Sequence, residues 1–220
     1  IYINTKDTSE LVSFRQATLN GLASQGGLYV PKSIPALETE WIDNIENYSD
    51  HDIGFHVMRQ LIGTESLSDS ELKQIVTETL AFDIPVVDLG DRVNVLELFH
   101  GPTLAFKDVG ARFMSRCLGQ FSKEDKVNVL VATSGDTGSA VASGFFGVEG
   151  VKVTILFPKG KVSKFQEYQM SSLGRNIIAV EVDGTFDDCQ SLVKQAFQDK
   201  KPNKKYSLSS ANSINVARLL

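Results

Sequence analysis

The sequence predicts an α/β fold: an open, mostly parallel sheet with flanking helices, preceded by a mainly helical N-terminal region. Three observations predict it. From about residue 92 onward, short runs rich in Val and Ile alternate with helical stripes, the signature of a parallel sheet. Those runs are continuously apolar, as expected of strands covered by helices on both faces. Earlier in the chain the period is helical, and Pro85 marks a break. The expected division is therefore 1–85, mainly helical, and 86–220, the first part of an α/β domain.

The N-terminal region opens with a short strand at Ile1-Tyr2-Ile3. Ser68-Asp69-Ser70-Glu71 is a capping box, and it opens a helix whose apolar stripe is Leu72, Ile75, Val76 and Leu80. Beyond the break, strands are expected at 93–99, 127–132, 151–157 and 177–182, with a weaker one at 206–208. Between them lie three stripes: Phe113, Cys117, Leu118 and Phe121; Val141, Phe145 and Val148; and Cys189, Leu192, Val193, Ala196 and Phe197. The lysine-rich 199–205 stretch reads as a solvated loop.

With 220 residues the chain can bury a substantial core. It is 42% hydrophobic and 22% charged, and 22 basic against 27 acidic residues leave a formal charge of −5. Such a chain has no global attraction for nucleic acid or anionic lipid, so an anionic ligand needs a local site. Cys117 and Cys189 both fall on apolar stripes and read as core thiols. The histidines, His51, His56 and His100, lack partners at ligand spacing, so no metal site is expected. No apolar run approaches the roughly 18 residues of a membrane span. Ile1-Tyr2-Ile3-Asn4 lacks the order of a secretory signal. The expected location is the cytoplasm.

In an open α/β sheet, ligands bind outside the carboxyl ends of the strands, so the loops after each strand carry the argument. Residues 100–108 read His-Gly-Pro-Thr-Leu-Ala-Phe-Lys-Asp. Lys107 stands at the entry to a helix, and Leu104, Ala105 and Phe106 give it an apolar neighbourhood. Desolvation and a helix N-terminus both disfavour an ammonium, which would make this amine a nucleophile for an aldehyde. The residues alone leave open a surface lysine that begins a helix.

Residues 133–140, Thr-Ser-Gly-Asp-Thr-Gly-Ser-Ala, form a glycine-containing strand-to-helix turn suited to an anion. An ordinary turn with Asp136 or Thr137 as N-cap fits equally. The chain has no Walker A pattern, and Pro158-Lys159 stands where a dinucleotide fold would place its ribose-binding acid. In the last segment, 210–218, Asn212, Ser213 and Asn215 suit capping, with Arg218 facing solvent. The same amide, hydroxyl and guanidinium groups also suit a phosphate.

Taken together, these segments resemble the threonine synthase family. Residues 100–108 look like its cofactor-lysine motif, and Gly21–Pro31, Thr133–Ala140, Pro158–Ser163 and Asn212–Arg218 match in the same order. The resemblance implies a fold-type II pyridoxal-phosphate (PLP) enzyme of the tryptophan synthase β-like group. It would convert O-phosphohomoserine and water to threonine and phosphate, with Lys107 carrying pyridoxal 5'-phosphate and moving protons, and Phe106 and Asp108 in support. Ser134, Gly135, Asp136, Thr137 and Gly138 would then hold the substrate carboxylate. Asn212, Ser213 and Arg218 would hold its phosphate.

A dehydratase or cysteine synthase of the same group is disfavoured by the Gly21–Pro31 segment and by the residues before Lys107. A non-catalytic relative is disfavoured by the presence of Lys107. The family's chains are longer, and the glycine-rich loop for the cofactor phosphate and the pyridine-nitrogen partner have no counterpart in these 220 residues. The expectation is that this length of chain alone is inactive and holds PLP poorly. The residues leave both a monomer and a homodimer open.

Overall fold

The computed structural model describes residues 1–123, 126–198 and 207–219. The helices are α1 (Phe14–Asn20), α2 (Thr39–Asp43), α3 (Asp50–Leu61), α4 (Asp69–Thr79), α5 (Lys107–Phe121), α6 (Asp136–Phe145), α7 (Lys164–Ser171), α8 (Phe186–Gln198) and α9 (Val216–Leu219). Strands β6 (Val127–Ala132), β7 (Val151–Pro158), β8 (Ile177–Val182) and β9 (Ser207–Ser210) form a parallel sheet in the order β8-β7-β6-β9.

Covering that sheet explains its composition. Alternate side chains of a strand face opposite ways. Val127, Val129 and Val131 of β6 enter the main core with Ala111, Met114 and Leu118 of α5 and Ala140, Val141 and Phe145 of α6. Ala132 and Leu130 face the other way, against Cys189 and Val193 of α8. Both sides are apolar because both are covered. The expected stripe on α5 is buried throughout, and both cysteines are core thiols. Burial pushes the Cys117 thiol far up, as it does to a lesser degree for Cys189. Only part of the α8 stripe is buried, for Leu192 and Ala196 stay exposed.

The N-terminal region joins the same core. The Ser68–Glu71 capping box forms, and Leu72, Ile75 and Val76 are buried. Tyr2 meets Phe14 with tilted rings at 5.7 Å, and Phe14 meets Phe121 edge to face at 6.1 Å, linking the first strand to the end of α5. Burying one such ring contributes about 1.5–3 kcal/mol. A second link runs from α1 to β9. The Thr18 carbonyl accepts from Ser209 Oγ and Asn215 Nδ2, both at 2.9 Å. Gly21 packs there with φ of 69°, where an added Cβ would lie 2.8 Å from the Ser210 nitrogen.

Two expectations need correction. The opening strand is β1 (Tyr2–Asn4), and it is not alone: β2 (Leu11–Val12) and β3 (Tyr29–Pro31) flank it antiparallel. Strands of two or three residues are too short to show a period. The 93–99 run is also not a strand of the parallel sheet. Only β5 (Asn94–Leu96) forms, paired antiparallel with β4 (Val86–Asp88) in a separate ribbon. Its turn passes through Gly90, Asp91 and Arg92, all with positive φ, and Val86, Leu89 and Leu96 are exposed. Apolar continuity alone does not distinguish a buried strand from an exposed ribbon. The weak strand is found at Ser207–Ser210, while Tyr206 and the 199–205 loop lie outside the described residues.

Gly21→Ala should lower unfolding stability by about 1–3 kcal/mol, since it combines left-handed backbone with a clash against a strand. Urea denaturation checks this. The Glu10 carboxylate accepts from Ser24, Tyr29 and Asn4, which hold its pKa below the ordinary value. A lowered folded-state pKa stabilises above the ordinary value and is lost as pH falls. Below pH about 4.5 the protein should therefore lose Tm faster than a Glu10→Gln variant, a difference that thermal melts between pH 7 and 3 would show.

Candidate active site

The chain order of the sheet reverses between β6 and β9, and at such a reversal the loops leaving the carboxyl ends open a crevice. The β6 loop runs into α6 through Thr133–Gly135, the β7 loop through Lys159–Ser163 into α7, and the β9 loop through Ala211–Asn215 into α9.

Thr133 shapes the first of these. Its Oγ1 accepts from the N–H of Gly135 at 3.0 Å and of Gly138 at 2.8 Å, closing the turn from within the buried core. Gly135 has φ of 143°, and an added Cβ would lie 2.5 Å from the Gln166 side chain. Neither Asp136 nor Thr137 is the N-cap. That place belongs to Gly135, and the side-chain oxygen comes from Thr133.

Lys107 is the first residue of α5 and reaches this turn. Its Nζ is 3.7 Å from Asp136 Oδ2 and 4.4 Å from the centre of the Phe106 ring. The lysine side chain keeps 26% of its exposure. The expected apolar neighbourhood is corrected: Leu104 and Phe106 are 68% and 60% exposed, and a carboxylate is the near neighbour. The loop before Lys107 is held by Asp108. Its carboxylate accepts from the Thr103 N–H at 2.8 Å and from Thr103 Oγ1 at 2.7 Å, and the group is buried. Between the clamp residues Leu104 adopts a positive φ of 59°, uncommon for a side chain of its size.

Asn212 binds the end of β6 with both amide atoms, its Oδ1 accepting from Ala132 N and its Nδ2 donating to Ala132 O at 3.1 Å. Ser213 is exposed and Ser134 also faces solvent. Asn215 caps α9, accepting from the Ala217 N–H at 3.0 Å. Arg218 is half-buried rather than solvent-facing. Its Nε and Nη1 are buried without a hydrogen-bond partner among the described residues, and burial pushes its pKa down to about 10 despite the nearby Asp108 charge. It lies against Gly110, one turn along α5 from Lys107, and borders a cavity of about 260 Å³ with Val109, Phe113 and Met58. One turn is about 5 Å of rise.

The structure thus unites Lys107 with Asp136, packs Arg218 of α9 against α5, and spends Asn212 on the strand end. Three residues missed by the sequence reading are Thr133, Asp108 as a clamp, and Gln166. Gln166 Nε2 donates to Asp136 Oδ1 at 2.6 Å. Its legible signal was the Ser163-x-x-Gln166 capping-box spacing. Among the described residues no group of three potential metal ligands occurs, and no helix is long and apolar enough to cross a membrane.

Residues 1–80 match the family described as threonine synthase N terminus, and residues 73–219 the family of pyridoxal-phosphate dependent enzymes. Threonine synthase of Serratia marcescens is 46% identical over 99% of this chain and 50% of its own length. That of Escherichia coli is 45% identical with the same coverage. The chain spans about half the length of these curated relatives. The crystal structure of E. coli threonine synthase superposes with a TM-score of 0.91 at 44% identity, over 99% of this chain and 51% of that one. PLP-bound threonine synthase from Brucella melitensis gives 0.89 at 38% identity, over 99% and 48%.

Thr133→Val keeps the shape but removes the acceptor of two buried N–H groups. Its unfolding free energy should fall by about 1–3 kcal/mol, whereas Thr133→Ser should remain within about 1 kcal/mol of the parent protein in the same denaturant titration.

Proposed function

This chain belongs to the family of pyridoxal-phosphate dependent enzymes, and on that premise we propose that it supplies the cofactor lysine of a threonine synthase. The reaction would be the conversion of O-phospho-L-homoserine and water to L-threonine and phosphate, a carbon–oxygen lyase activity in the cytoplasm. Residues 1–85 would be the N-terminal domain and 86–220 the first part of the catalytic domain.

The observation that carries the reading is the presentation of Lys107 Nζ at the Gly135 turn, 3.7 Å from Asp136. The donor set fits the cofactor: an aldehyde needs a reachable primary amine, and this one is partly exposed at the carboxyl edge of a parallel sheet. Bound there, the cofactor supplies an electron sink for charge developing on the substrate carbons.

Each side chain then has work suited to its place. Lys107, the amine that would hold the cofactor, would take the α proton and then a β proton. Phosphate leaves the γ carbon, water adds at the β carbon, and Lys107 helps to return the protons. Thr133 occupies the N–H groups of Gly135 and Gly138. The remaining N–H groups of residues 134–138 at the start of α6 suit the substrate carboxylate. Arg218, cationic and with two nitrogens that lack a partner among the described residues beside a cavity, suits the substrate phosphate. Asn212 and Ser213 would border that site, and Phe106 would flank the lysine.

Incubation with PLP, borohydride reduction and peptide mapping test the cofactor assignment. The adduct should lie on the peptide holding Lys107 and vanish in Lys107→Ala; label scattered over surface lysines would overturn it. A chain extended to the relatives' length should release threonine from O-phosphohomoserine. Turnover of L-serine instead would favour a dehydratase.

A further inference from the structure

Gln166 stands outside every role assigned above, yet it touches Asp136, the acid that faces the lysine. It is the third residue of α7. Its Oε1 accepts from the Ser163 hydroxyl at 3.0 Å and the Ser163 N–H at 3.3 Å, while its own N–H donates to Ser163 Oγ at 3.2 Å. That capping box fixes which end of the carboxamide is which, because Oε1 must face the Ser163 donors. The Nε2 end then points at Asp136 and donates to Oδ1 at 2.6 Å, a charge-assisted bond. The other carboxylate oxygen, Oδ2, is left toward Lys107 at 3.7 Å.

The position of Gln166 is also built into the turn. The glycine at 135 leaves the space that the carboxamide fills, with an ideal Cβ there only 2.5 Å from Gln166. The Asp136 side chain keeps 54% of its exposure, so burial does little to fix it. An exposed carboxylate opposite a flexible lysine gains little from pairing alone, so a second, anchored donor is needed to hold it in one rotamer.

We propose that Gln166 is a positioning residue that holds the Asp136 carboxylate against Lys107 and so ties the β7 loop to the cofactor lysine. The inference deepens the reading of Lys107 as that lysine and rests on it for its catalytic meaning. It distinguishes two jobs of one side chain: capping α7 through Oε1 and aiming Asp136 through Nε2. Gln166→Glu separates them, because Glu is a natural partner in a capping box but has no N–H to offer Asp136.

The test needs no cofactor. Lysines are reductively methylated with ¹³C-formaldehyde, and the Lys107 resonance is assigned by its loss in Lys107→Arg. Both Gln166→Glu and Gln166→Met should move that resonance, and in an Asp136→Asn background Gln166→Met should add nothing. An unmoved resonance in Gln166→Glu would reduce Gln166 to a helix cap and overturn the proposal. So would an equal shift from Gln166→Met with and without Asp136. A parallel measurement addresses the cofactor: the borohydride-trapped adduct at Lys107 should form about tenfold more slowly in both Gln166 variants, the factor that 1.4 kcal/mol of lost orientation gives. Failure of the parent chain to form any adduct at Lys107 would count against the cofactor reading alone and leave the resonance test to decide the role of Gln166.

Discussion

The placement of β6 is the constraint on which the rest depends. It is paired on both edges, with β7 along its whole length and with β9 over Val127–Leu130. Its alternate residues enter two different cores. A strand held on two edges and two faces has almost no freedom at its carboxyl end, and that end leads directly into the Thr133–Gly135 turn. Register matters here because a slip of one residue would exchange the two faces. Val129 and Val131 would then meet α8 in place of Leu130 and Ala132.

What leaves β6 is consequently well defined. Thr133 ties the turn to the start of α6, and Asn212 binds the Ala132 backbone from the β9 side. Lys107 arrives from another direction, at the head of α5, with its loop clamped by Asp108 and Thr103. The two meet because α5 and α6 pack closely, with Gly144 set against the Ala111 backbone. The Lys107–Asp136 pair is thus a consequence of helix packing on a shared sheet. The pair itself contributes little to stability at such exposure. Its significance is chemical.

Particular residues show how far sequence alone reaches. Val127–Ala132 was legible as a strand because a strand covered on both faces is nearly all apolar, and Ile177–Val182 from its run of Ile and Val, although this edge strand leaves Ile178 and Val180 exposed. The Ser68–Glu71 box was legible because capping is local. The 93–99 run misled for the same reason that the others succeeded: its composition is that of a buried strand, while its partner is a neighbouring ribbon. Likewise, the neighbours of Lys107 in sequence are apolar, but Leu104 and Phe106 are largely exposed, and only the Phe106 ring meets the amine. For Arg218 the sequence left a solvent-facing side chain and a phosphate ligand both open, and packing against α5 takes its Nε and Nη1 out of water.

Sequence by itself determined the α/β character, the main parallel strands, the buried cysteines and the family to which Lys107 gives its meaning. These follow from local periodicity and from short motifs, where neighbouring residues carry the whole signal. Tertiary structure alone decided that Lys107 faces Asp136, that Gln166 holds that acid, and that Asp108 clamps the loop rather than merely flanking the lysine. Gln166 and Asp136 are 30 residues apart, and Lys107 and Asp136 come from different helices. No local pattern records such a meeting, because it is set by how α5, α6 and α7 pack around one sheet.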